Sequence, residues 1–87
     1  MNLIWGSSFK RAYRRMTKRR PQLKSVIHQA LRTFATNPFT PELRTHKLSG
    51  QLQGLWAFTV EYDCRIVFRF INGDAMLVDI GTHDEVY

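Results

Sequence analysis

The chain has 87 residues, enough for one small domain with a limited core. Hydrophobic residues make up 44% of it, which excludes a disordered polymer, and its single cysteine, Cys64, excludes an intramolecular disulfide. The net charge of +6 is unevenly spread: eleven of the thirteen Lys and Arg residues lie in residues 1–47, and six of the seven acidic residues follow Val60. Such asymmetry points to a polyanion, an acidic protein, or both as partners.

Leu3–Trp5 is a short apolar start, read as an edge or central strand. Ser7 or Ser8 suits a helix N-cap, because a hydroxyl accepts from the unpaired amides of the first turn. Phe9, Ala12, Tyr13 and Met16 then recur at helical spacing, with Lys10, Arg11, Arg14, Arg15 and Lys18 over the rest of the surface. Pro21 opens a second helix. Its stripe is Leu23, Val26, Ile27, Ala30, Leu31 and Phe34, and Asn37-Pro38 ends it. The two helices are expected to pair as a hairpin and lay their stripes on a sheet.

Pro38–Thr45 reads as a connection, after which the period becomes two. Trp56, Phe58, Val60 and Tyr62 fall on one side of a strand, and Cys64, Ile66, Phe68 and Phe70 continue that side on the next. Asn72-Gly73 is a hairpin turn. Ala75–Thr82 forms the last strand, with Met76, Val78 and Ile80 directed to the core. The expected fold is α+β: a strand, a helical hairpin, then three or four strands in a mainly antiparallel sheet. The helices cover one face. The other carries Glu61, Asp63, Arg65, Arg69 and Asp79, either as an ordinary solvated face or as a working surface.

No apolar run approaches membrane-spanning length, and Met1–Trp5 is too short for a secretory signal, so a soluble cytosolic protein with no membrane partner is expected. His28, His46 and His83 are too scattered in sequence to suggest a metal site, and neither metal nor cofactor is expected.

Three segments carry a family resemblance: His46–Phe58 (HKLSGQLQGLWAF), Glu61–Phe70 (EYDCRIVFRF) and Ile80–Tyr87 (IGTHDEVY). In this order, behind a basic helical hairpin, they resemble the RelE superfamily of bacterial toxins and its YafQ-like members over essentially the whole chain. The resemblance implies a ribonuclease that cuts mRNA in the ribosomal A site, contacts ribosomal RNA and is silenced by a cognate antitoxin. It places His46, Asp63 and His83 on catalytic positions, Tyr87 on a terminal aromatic that contributes to activity, and Arg65 on a phosphate-contacting arginine of RelE and YoeB. Two departures stand out. YafQ has a further histidine where this chain has Thr59, and it lacks the arginine present here as Arg65.

These residue types suit metal-free RNA cleavage, in which the ribose 2′-hydroxyl attacks the adjacent phosphate. A histidine near neutral pKa transfers protons, and an arginine fork matches two phosphate oxygens. His83 is expected to act as general acid, Arg65 on the phosphate, and His46 or Asp63 on the 2′ proton. Tyr87 is expected to stack on a base or hold the phosphate. Lys10, Arg11, Arg14, Arg15 and Lys18 are expected to bind the RNA backbone. Asp63 and Arg65 share a strand face, and the hairpin register sets Asp63 opposite Thr82 or, one step on, His83. Competing readings are a ParE-like gyrase inhibitor without nuclease residues and a basic nucleic-acid-binding module without toxicity.

Overall fold

The computed structural model describes residues 1–86. The chain runs β1 (Leu3–Trp5), α1 (Ser7–Arg19), α2 (Leu23–Thr36), a 3-10 turn at Pro41–Leu43, β2 (His46–Lys47), a second such turn at Gly50–Leu52, β3 (Trp56–Glu61), β4 (Cys64–Ile71), β5 (Asp74–Gly81) and α3 (His83–Val86). The sheet order is β1-β5-β4-β3-β2. Every neighbouring pair is antiparallel except β1 with β5, so the α+β expectation holds. No helix among the described residues is long and apolar enough to cross a membrane.

Both helical stripes bury along their centres, with Tyr13 and Val26 half-buried at their margins. Phe9, Ala12 and Met16 of α1 join Leu23, Ile27, Ala30, Leu31 and Phe34 of α2 over Phe58, Cys64, Ile66 and Phe68 of the sheet. Phe34 stacks on Phe58 at 4.3 Å between ring centres and meets Phe68 edge-on at 4.6 Å. Interlocked rings of this kind typically cost about 3–5 kcal/mol to truncate to alanine.

The helix starts differ from expectation. The N-cap of α1 is Gly6, with no side-chain cap, and the Ser8 hydroxyl donates instead to the Val78 carbonyl at 2.6 Å. Gly6 stands there because the chain passes very close to β5. Its N–H donates to the Leu77 carbonyl at 3.1 Å, and a Cβ on it would lie 2.7 Å from that same oxygen. Pro21 occupies the turn before α2, whose N-cap is Gln22.

The last strand also differs. Asn72 and Gly73 both take positive φ, 51° and 86°, as a tight two-residue hairpin turn requires. Pairing runs regularly from Ile71↔Asp74 to Phe68↔Leu77, then shifts, so that Val67 faces Asp79 and Arg65 faces Gly81. Val78 is the extra residue of a β-bulge. The core side of β5 is therefore Ala75 and Leu77 before the bulge and Ile80 after it. Val78 packs in a second cluster, and Met76 is only half-buried. Strict alternation through Met76, Val78 and Ile80 fails because the bulge switches phase midway. Tyr62 is likewise no part of the apolar side: it sits at the β3–β4 turn, 95% exposed.

Candidate active site

The second cluster defines the face away from α1 and α2. Ala57, Val67 and Val86 bury one another there, with Leu48, Leu55 and Val78 against them. Paired residues in a sheet share a face. His46 pairs with Ala57, and Ala57 with Val67, so His46 belongs to this far face. Thr59 pairs with Arg65, and Arg65 with Gly81, one step along the same face. His46 on β2 stands two strands from Arg65 on β4, about 10 Å across the sheet.

The end of β5 brings in His83. Gly81 closes the strand, Thr82 follows, and His83 is the first residue of α3. This short helix packs back on β4 and β5 through Val86. Glycine at 81 gives it room, because a Cβ there would meet Val86 and Glu85 at 3.0–3.1 Å. Pairing ends at Arg65↔Gly81, with Asp63 two residues before Arg65 and His83 two residues beyond Gly81 at the start of α3. The Arg65↔Gly81 pair follows the one-step-longer of the two registers open in the sequence, reached through the bulge rather than a longer turn. Asp63 itself lies exposed in the β3–β4 turn.

His46 and His83 are exposed, and Arg65 is half-buried. The His46 Nδ1–H donates to the Arg44 carbonyl at 2.8 Å, since a carbonyl only accepts; in the neutral ring this makes Nε2 the basic nitrogen. His83 Nδ1 lies 3.7 Å from the Asp84 carboxylate. Tyr87 lies outside the described residues. Lys10, Arg11, Arg14, Arg15 and Lys18 are all exposed along α1. His28 lies away from these groups, its Nε2 2.8 Å from the Tyr13 hydroxyl on the helical hairpin.

Four further residues belong to this end of the molecule. Arg19 reaches Glu85 of α3 at 3.8 Å, and Arg20 reaches Glu61 at the end of β3 at 3.5 Å. The basic helix thus ends against α3 and β3. Thr82 and Glu85 make reciprocal contacts: the Thr82 N–H donates to Glu85 Oε1 at 2.9 Å, and the Glu85 N–H lies 3.3 Å from Thr82 Oγ1. The signal for this pair, threonine followed three residues later by glutamate, stands in the sequence as a capping box. Arg19 and Arg20 lie in the same basic run as the five expected RNA-binding residues.

Electrostatics separate the acids. The Thr82 backbone N–H, helped by its hydroxyl, Arg19 and Arg15, holds the Glu85 carboxyl below its ordinary value. Burial raises Asp79. Asp79 pairs with Val67 of the far face and also lines a small cavity with Ala12, Arg15, Met16 and Glu85. Among the described residues, no three His, Cys, Asp or Glu side chains gather as a metal site.

Across residues 1–87 the chain matches the profile of a family described as the bacterial toxin of type II toxin-antitoxin system, YafQ. It is 44% identical over 36 residues to the endoribonuclease HigB of Proteus vulgaris, a stretch spanning 41% of this chain and 39% of that protein. Its fold is that of YafQ from E. coli strain BL21(DE3), with a TM-score of 0.82 at 14% identity over 99% of this chain and 97% of the other. It also superposes on the E. coli DinJ-YafQ complex, with a TM-score of 0.75 at 18% identity over 99% and 97% of the two chains.

Proposed function

The chain belongs to the YafQ family of bacterial type II toxins, and on that premise we propose that it cuts messenger RNA on the ribosome, without a metal ion, until a cognate antitoxin covers it. The observation carrying this reading is the far face of the sheet: His46 and Arg65 share it, and α3, which begins at His83, packs against it. That supports one basic nitrogen, one fixed cation and one proton donor around a single phosphodiester.

In this mechanism His46 Nε2 takes the 2′ proton, with Asp63 as the other candidate for that role. The 2′ oxygen attacks the phosphorus. Arg65 neutralises charge gathering on the phosphate oxygens, where a preorganised donor is worth most. Protonated His83 gives its proton to the departing 5′ oxygen, leaving a 2′,3′-cyclic phosphate. Tyr87 stacks on a flanking base. Lys10, Arg11, Arg14, Arg15 and Lys18, extended by Arg19 and Arg20, bind the backbone of mRNA and ribosomal RNA in the cytoplasm. The antitoxin answers the same cations with an acidic segment; E. coli YafQ is found with DinJ in a toxin-antitoxin complex.

Mapping mRNA 5′ ends in a purified translation system tests this. Wild-type protein should produce new ends inside codons, with ribosomes only and undiminished by a zinc-selective chelator that leaves the ribosomes' magnesium in place. His83→Ala should lower cleavage by about 10²–10⁴-fold, the usual worth of general acid catalysis. Toxicity in cells with no cuts from either protein would instead favour a binding mechanism such as gyrase inhibition. Loss of cutting on zinc chelation, with translation otherwise intact, would overturn metal independence.

A further inference from the structure

A helix of four residues has no stability of its own, because nucleation costs more than so few hydrogen bonds return. Yet α3 carries His83. Three local features hold it. Val86 is buried against Ala57 and Val67. Gly81 lets the helix close onto the strand end without the 3.0 Å clash a side chain would make. The third feature is the reciprocal contact between Thr82 and Glu85, at 2.9 and 3.3 Å, supplemented by Glu85 and Val86 amides donating to the Thr82 carbonyl at 3.1 Å each. His83 lies between these two residues.

We propose that Thr82 and Glu85 are positioning residues for His83: their reciprocal contacts fix the first turn of α3 and so set where the imidazole stands over the cleavage site. This rests on the nuclease reading above. Glu85 performs the task as a hydrogen-bond acceptor. Its ion pair with Arg19 is long, 3.8 Å, between side chains 48% and 61% exposed, and such pairs contribute little. The charged groups facing Glu85 are Arg19 and Arg15, with Asp79 across the small cavity they line.

Four variants of the full chain separate these roles: Thr82→Val and Glu85→Ala remove the contacts, whereas Thr82→Ser and Glu85→Gln keep an acceptor in place. Cleavage kinetics should show kcat lowered about five-fold in the first two with KM little changed, the usual effect of losing a helix cap. The two conservative variants should cleave as wild type does. Hydrogen exchange followed by NMR should speed up about five-fold at the Glu85 and Val86 amides in the first pair, while β4 amides stay protected. Wild-type kcat in Thr82→Val and Glu85→Ala would overturn the proposal, as would unchanged exchange at those amides. So would a loss in Glu85→Gln equal to that in Glu85→Ala, which would assign the effect to charge. If wild type and His83→Ala alike fail to cut RNA, the nuclease reading falls separately. Exchange then still decides whether the cap holds α3.

Discussion

Cys64 has no exposed surface and lies 3.7 Å from the sulfur of Met16. Burial, reinforced by the charge of Glu61, pushes its thiol up to about 12 from 9.0. The folded state therefore favours the protonated form. Its contribution to stability is complete below the unfolded value of 9.0 and is lost as pH rises from there towards 12. At pH 8 a disulfide reagent should label the thiol only after denaturant is added; rapid labelling of the native protein would contradict the packing. The inert character of Cys64 was legible from its place in the apolar alternation. His46, Arg65 and His83 stood out as candidates by residue type and family resemblance. The shared sheet face of His46 and Arg65 was not legible, because His46 joins the sheet through a two-residue strand too short to leave a period. Tyr62 was misread for a related reason: alternation carries no mark of where a strand yields to a turn.

At the scale of elements, the long stripes of α1 and α2 and the Asn72-Gly73 turn were readable because each is a local rule obeyed locally. The bulge at Val78 and the cap at Gly6 were not, because each answers to a distant neighbour; α3 left only its local signal, threonine followed three residues later by glutamate, on a helix too short to leave a period. Gly6 shows the point in energetic terms. Its backbone lies so near the Leu77 carbonyl that a methyl group would sit 2.7 Å from the oxygen, and that oxygen belongs to a paired strand that cannot easily yield. Gly6→Ala should destabilise the protein by about 1–3 kcal/mol, seen as a lower urea midpoint with an unchanged slope. An unchanged midpoint would mean that β1 and β5 can separate at no cost. The bulge has a consequence for the site as well, since without its extra residue Arg65 would face Ile80 rather than Gly81.

For the molecule as a whole, charge is segregated. The basic α1 lies on the layer over one sheet face, the catalytic candidates occupy the opposite face, and Arg19 and Arg20 reach Glu85 and Glu61 where the two surfaces meet. Binding to unstructured RNA should weaken steeply with salt. Replacing Arg14 and Lys18 together by alanine should reduce the slope of log K against log salt by about 1.4, as expected for two lost phosphate contacts to a single strand. Fluorescence anisotropy over a salt series measures this, and an unchanged slope would move the RNA path off α1. The sheet is also closed by its most distant partners, for β1 pairs only with β5, as in Leu3↔Ala75. Its first strand must therefore wait, unpaired, while the rest of the sheet is synthesised, and α3 with His83 comes later still. The order in which a ribosome makes this chain thus leaves both β1 and the far face of the sheet incomplete until β5 and α3 have emerged.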